Sequence, residues 1–293
     1  MHTFLPAVAL SEVTGAYGIM DTPRAPAPMT VHQLLAFNLG GAQITGDADG
    51  FDGPLAACAM TEGGRILGKG EGRMVFVYLL AGTLNRLFGL DPTTLVQPRP
   101  IERGESPVLD RLLAALMACR DSRQAIVETI DAHFLEAKQA AEPMGLPDVA
   151  HRYLVRDATG NIPAIADRLG VSLRTLERRF KARYGCSPAR YLRHLRLVRA
   201  TPSNFQDFRW DAVPPEVEYY DQSHWLRDLK AIYGATPSEL NRMPLAAFLH
   251  YPDGCYDPAQ ARDKWDEHEV GLRHDAWRES SDALVAAFER ERQ

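Results

Sequence analysis

Asn161-Ile-Pro-Ala-Ile-Ala-Asp-Arg-Leu-Gly-Val-Ser-Leu-Arg-Thr-Leu-Glu-Arg-Arg-Phe180 reads as two short amphipathic helices meeting at a glycine turn. Ile162, Ile165, Ala166 and Leu169 fall at i, i+3, i+4, i+7, which is one stripe of a helix. Asn161 suits the N-cap of that helix, and Pro163 is tolerated in its first turn. Gly170 permits the reversal. Ser172 is a natural N-cap for the second helix, whose Leu173, Leu176 and Phe180 form the stripe expected in the core. Arg174, Glu177, Arg178 and Lys181 are left pointing outward. One face therefore packs, and the other is free to meet an anionic surface such as the wall of a DNA groove.

The chain continues Lys181-Ala-Arg-Tyr-Gly-Cys-Ser-Pro-Ala-Arg-Tyr-Leu-Arg-His-Leu-Arg-Leu-Val-Arg-Ala200. A capped helix over Ser172 to Phe180, the turn Tyr184-Gly-Cys-Ser-Pro188 and the arginine-rich helix Tyr191 to Ala200 follow in the order seen in the DNA-binding domain of AraC/XylS regulators, which this segment resembles. Residues Tyr219-Tyr-Asp-Gln-Ser-His-Trp-Leu-Arg-Asp-Leu-Lys230 and Tyr233-Gly-Ala-Thr-Pro-Ser-Glu-Leu240 are similar to the family's second helix-turn-helix and closing turn. The repeat is also internal: Arg183-Tyr-Gly-Cys-Ser-Pro-Ala-Arg-Tyr191 against Ile232-Tyr-Gly-Ala-Thr-Pro-Ser-Glu-Leu240, two copies of one unit about fifty residues apart.

Arg174 and Arg178, one turn apart, are candidates for base-edge contact, because a guanidinium fork matches guanine O6 and N7. The resemblance places Thr175 and Glu177 where bases are also met; Glu177 suits a cytosine amino group, or an i+4 pair with Lys181. Lys181, Arg190 and Arg193, with Arg179, Arg196 and Arg199, read as phosphate or surface charges, which position without specifying. In the second unit Gln222, Ser223, His224 and Arg227 match the recognition helix. That unit departs from the family at Glu218, where glycine is usual, and at Pro214-Pro215, which disfavours the preceding short helix. Thr201-Pro202 interrupts the linker helix early, and Asp207, Asp211 and Glu216 add charge hostile to phosphate. The first unit is expected to carry most of the DNA contact.

Charge is distributed to match. The net charge is −5, yet residues 151–200 hold 12 Lys and Arg against 3 Asp and Glu, whereas residues 1–150, 201–243 and 244–293 are each net acidic. A basic patch this confined suits phosphate neutralisation. The start, Met1-His-Thr-Phe-Leu-Pro6, lacks the pattern of a secretory signal, and no apolar run approaches the roughly 20 residues of a membrane span. Cys58, Cys119, Cys186 and Cys255 are isolated, without the close spacing of zinc or redox sites. A cytoplasmic location with free thiols and no membrane contact is expected.

Before residue 100 two apolar runs, Leu34 to Leu39 and Met74 to Leu80, are bounded by turn formers and fit buried strands. Pro107 to Met117 changes to helical spacing, with Leu109, Leu112, Leu113, Leu116 and Met117 on one stripe. Ser122 suits the cap of a helix carrying Ile126, Ile130 and Phe134. Pro143 to Pro147 reads as a linker, with Asp148 as cap of a helix from Val149 to Arg156. His2, His32 and His133 show no metal-ligand spacing, and no glycine-rich phosphate loop precedes a helix. Near the end Trp277, Leu284, Val285 and Phe288 form an amphipathic stripe among acidic neighbours, suited to docking on the chain itself or a twin, or to covering the basic linker helix.

The fold expected is α+β: a β-rich N-terminal domain with helices (1–145), an all-α double helix-turn-helix domain (146–243) and an acidic helical extension (244–293). The resemblance implies a sequence-specific transcription regulator that binds double-stranded promoter DNA and alters recruitment of RNA polymerase. It also implies an N-terminal part, often a small β-barrel of cupin type, that senses a small-molecule effector or forms a homodimer. Neither metal nor cofactor is expected, and no catalytic role; the cysteine clusters of DNA-repair methyltransferases with a similar domain have no counterpart. The alternative is a sensor or interaction module of the same descent that has lost autonomous DNA binding.

Overall fold

Both apolar runs of the N-terminal half are central strands, and their neighbours show why. A computed structural model describes residues 2–21, 26–28, 33–40, 42–45, 54–57, 65–70, 72–95, 99–156, 160–200, 222–233, 236–240 and 267–291. β4 (Gln33–Asn38) and β8 (Arg73–Leu79) pair antiparallel, Leu35 opposite Val77, inside a six-stranded sheet. With β1 (His2–Phe4), β2 (Thr14–Asp21), β6 (Pro54–Ala57) and β9 (Arg99–Pro100), the strand order is β1-β2-β8-β4-β6-β9. Every residue of β4 is buried, as are six of the seven in β8, so both faces of the sheet centre are covered and the runs do not alternate. β3 (Pro26–Pro28), β5 (Ala42–Thr45) and β7 (Arg65–Gly70) form a second antiparallel sheet, order β3-β7-β5.

Helices cover one face of the larger sheet. α1 (Thr83–Phe88), α2 (Pro107–Ala118) and α3 (Arg123–Ala140) bring Leu84, Phe88, Leu109, Leu112, Leu116, Ile126, Ile130 and Phe134 onto Tyr17, Leu35, Phe37 and Val77. Ser122 Oγ accepts from the amide of Ala125 at 3.2 Å, the expected cap. Met117 departs from expectation: it is 39% exposed, because Leu109, Leu112 and Leu116 occupy the inward stripe and the next residue is rotated about 100° away.

The remaining helices are α4 (Leu146–Arg156), α5 (Ile162–Arg168), α6 (Leu173–Tyr184), α7 (Pro188–Ala200), α8 (Gln222–Tyr233), α9 (Pro237–Leu240) and α10 (Glu267–Arg290). α6 and α8 have 12 residues each, and each is followed at the same interval by a proline that opens the next helix, so the repeat read in the sequence is a repeat of structure. Pro214, Pro215, Glu218, Thr201, Pro202, Asp207, Asp211 and Glu216 lie outside the described residues, and with them the expected defects of the second unit.

Asp148 corrects its expected role. The helix already starts at Leu146, and Asp148 in its first turn is buried, reaching back to accept from the amide of Gly145 at 2.8 Å. That is the return half of a capping box, made by a residue inside the helix. The core then runs without a break from the sheet through Val149, Ala150 and Leu154 of α4, Ile165 of α5 and Leu169 just after it, Leu176, Phe180 and Tyr184 of α6, to Tyr191 of α7 and Val285 of α10.

Candidate nucleic-acid interface

α5 and α6 are built by the local signals in their sequence. Asn161 Oδ1 accepts from the amide of Ala164 at 3.0 Å and Ser172 Oγ from that of Thr175 at 3.2 Å; Gly170 between them sits at φ 63°. Leu176, Phe180 and Tyr184, spaced four apart, line the buried side of α6. Phe180 and Tyr184 stack at 4.4 Å, with Tyr191 edge-on to Phe180 at 5.6 Å. His151 of α4 lies flat on Tyr184 at 5.0 Å, and its Nε2 is 2.7 Å from the Tyr191 hydroxyl. This aromatic block ties α4, α6 and α7 together beneath the exposed face.

That face carries Arg174, Glu177, Arg178, Arg179 and Lys181, all exposed. Leu173 joins them at 41% exposure, against its expected place in the core. It is the first residue of the helix and overhangs the end of the surface that buries Leu176 and Phe180. Glu177 and Lys181 form no ion pair among the described residues, so the local i+4 explanation for Glu177 is not realised. Thr175 is half-buried, with its hydroxyl 2.9 Å from Ser172 Oγ, drawn into the cap.

The other expected contact residues are spread over α7 and α8. Arg190 is half-buried, and Arg193 pairs with Asp228 of α8, Nε to Oδ1 at 2.7 Å. Gln222, Ser223 and Arg227 are exposed on α8, where Arg227 Nε donates to the carbonyl of Ser223 at 3.2 Å. His224 is half-buried, with Nε2 3.7 Å from Asp228 Oδ2. The structure thus brings Arg174, Glu177, Arg178 and Lys181 onto one open surface, while Arg193 is engaged within the protein.

Sequence reasoning missed the attachment of α6 to the N-terminal half. Arg183, near its C-terminal end, donates to Asp148 Oδ1 and Oδ2 at 3.1 Å each and to Asn85 Oδ1 at 3.0 Å. Burial acts to raise the Asp148 carboxyl, but the Arg183 guanidinium, the amide of Gly145 and the Tyr184 hydroxyl together hold it below its ordinary value. Gly82, at φ +86°, leaves the Tyr184 ring room: a Cβ there would stand 3.1 Å from Cε1. The only sequence-level sign was a glycine amid apolar residues, which does not name its neighbour. A cavity of about 20 Å³ opens at this seam, lined among others by Glu12, Arg86, Asp148, His151, Arg152 and Tyr184. It has room for one water molecule, far below the roughly 300 Å³ that a drug-sized ligand needs.

A known family of helix-turn-helix domains matches residues 165–243, from within α5 to beyond α9. The HTH-type transcriptional activator RhaS of Escherichia fergusonii is 35% identical over 80 residues, covering 27% of this chain and 29% of RhaS. The chain carries a helix-turn-helix domain of AraC/XylS type. The match spans less than a third of that relative's length, and the residues that the helix-turn-helix family matches include all of α6, α7 and α8. Two solved structures are similar at low identity: an apo variant of ToxT from Vibrio cholerae strain SCE256 (10% identity, TM-score 0.44, 78% of this chain and 96% of that one) and wild-type ToxT with bound unsaturated fatty acid (11%, 0.41, 78% and 94%). The matched residues include the whole of α6 and its exposed face. Among the described residues, no group of three or more His, Cys, Asp or Glu could hold a metal ion, and no helix is long and apolar enough to cross a membrane.

Proposed function

We propose that this chain is a sequence-specific DNA-binding transcription regulator that inserts α6 into the major groove and acts by altering recruitment of RNA polymerase at promoters. The observation that carries the reading is the exposed set Arg174, Glu177, Arg178 and Lys181 on a helix whose opposite side is fixed by Leu176, Phe180 and Tyr184. A recognition helix needs this combination: a rigid seat, and free donors that can meet base edges without first breaking internal bonds. Phosphate contacts come from the surrounding cations of α6 and α7, and α8 offers Gln222, Ser223 and Arg227 as a second reading surface. The N-terminal half is the part that would bind a small-molecule effector or a twin subunit.

The deciding experiment is selection of bound fragments from random double-stranded DNA by the full chain, followed by binding measured across a range of salt. Enrichment of one motif, with affinity that falls steeply as salt rises, is expected. If no motif emerges and affinity at physiological salt is no better than that of an unrelated protein of equal charge, the chain is an interaction module and the reading is wrong. Light scattering of the full chain, and its melting temperature against candidate effectors, test the N-terminal role; a monomer indifferent to every compound would count against it.

A further inference from the structure

The second recognition helix is held to the linker helix by a charged contact that the mechanism above does not use. On α8, Trp225, Asp228 and Leu229 lie at i, i+3, i+4 and are 0%, 2% and 0% exposed, while Gln222, Ser223, Arg227 and Lys230 are exposed. The inward face rests on α7, on which Leu197 is buried. Within that seam Asp228 Oδ1 accepts from Arg193 Nε at 2.7 Å and also contacts Arg193 Nη2, and His224 Nε2 is 3.7 Å from Oδ2. Arg193 itself is half exposed.

A carboxylate in an apolar seam adds little to stability compared with a hydrophobic residue of similar size; its use is to specify one arrangement. Leucine and tryptophan contacts tolerate small slides and rotations, and a shift of one residue turns a helix face by about 100°. An ion pair tolerates neither, because displacement takes the Arg193 guanidinium away from a carboxylate that stays buried. We infer that Arg193 and Asp228 are positioning residues that fix the rotation of α8 on α7, so that Gln222, Ser223 and Arg227 face the same side as the first unit's reading surface, and that Arg193 serves DNA recognition through Asp228 and not through a phosphate. This rests on the DNA-binding reading. It makes the two units one rigid ruler, with the spacing between their contacts set inside the protein.

The test uses the full chain, the selected DNA site, and a shortened fragment that keeps only the first unit's contacts. Arg193→Met keeps the aliphatic stem and removes the charge; Asp228→Asn removes the charge that it leaves behind. Arg193→Met should weaken the full site at least about tenfold, leave the shortened fragment unaffected, and leave the slope of log K against log salt unchanged. The double variant should bind the full site better than Arg193→Met alone, since it no longer buries a carboxylate charge from which the guanidinium has been removed. A phosphate contact gives the opposite signature: a salt slope lower by about 0.9, loss that adds to that of Asp228→Asn, and no rescue. Either that signature or full-site affinity indifferent to Arg193→Met overturns the inference. Should the parent select no DNA at all, the functional reading fails by itself, and the clamp is judged by melting temperature: rescue of Arg193→Met by Asp228→Asn upholds it, and additive losses overturn it.

Discussion

Arg174 and Arg178 are one turn apart on the open side of α6, and among the described residues neither is held by an internal partner. Replacing either by alanine should weaken the selected site by about 1–3 kcal/mol and relax preference at one or two base pairs, read by repeating the selection with the variant. Equal loss on selected and random DNA would reassign them to phosphate. His194 in α7 gives a pH expectation. Burial, helped by the nearby charges of Arg190 and Arg193 and opposed by Asp228, pushes its imidazole down to about 4 from 6.5, and its Nδ1 lies 2.9 Å from the carbonyl of Arg190. The unfolded chain therefore takes up a proton below about 6.5 that the folded chain refuses until about 4. The stability from keeping His194 neutral is complete above 6.5 and is lost as pH falls toward 4, on the order of 3 kcal/mol in all. Denaturant midpoints at pH 7.5 and 5.0 should differ more in the parent than in His194→Gln; identical pH dependence would show that the residue is not a determinant.

The caps of α5 and α6 could be read from the sequence because an N-cap is a local event, completed by an amide three residues on. Ser172→Ala should cost about 1 kcal/mol by removing the acceptor for Thr175, and should loosen the start of α6, where a recognition helix meets the bases. Ser172→Asp restores an acceptor and should recover the melting temperature; failure to do so would mean that Ser172 acts through its 2.9 Å contact with the Thr175 hydroxyl instead. Strand and helix types in the N-terminal half were also legible, since Leu34 to Leu39 and Met74 to Leu80 are short continuous apolar runs and Leu109 to Leu116 has helical spacing. Leu173 and Met117 were misread because periodicity assigns a side, not an extent: one sits at a helix end and the other a step off the stripe. The start of α4 was missed because Asp148, a good cap by type, instead serves from inside the first turn.

Across the whole molecule, the C-terminal helix α10 binds both halves together. Trp277 is 3% exposed and shares a cluster with Leu80, Val155, Leu192 and Leu195, under the guanidinium of Arg152 at 4.8 Å from the ring. Ser280 donates to Glu12, Asp282 pairs with Arg156, and Glu289 accepts from Tyr153 at 2.8 Å and Arg168 at 2.7 Å. The expected stripe thus docks on its own chain, but these carboxylates answer arginines of α4 and α5, and it is Trp277 that reaches the linker helix. Trp277→Ala should cost about 3–5 kcal/mol by emptying the junction of the two halves, measured as a lowered denaturant midpoint and faster amide exchange in α4 and α7 together. A change confined to α10 would mean that the helix is an appendage. The sequence by itself determined the helix pair at 161–180, its caps, the exposed arginines of α6, the repeat at α8 and the two core strands, all of which depend on neighbours within a few residues or on a period. Only the tertiary structure decided that Arg183 turns from the exposed face of α6 to Asp148 and Asn85, that Arg193 turns inward to Asp228, and that α10 spans the seam. Those partners are from 35 to more than 250 residues apart, and a charged side chain looks the same in sequence whether a phosphate or a buried carboxylate awaits it.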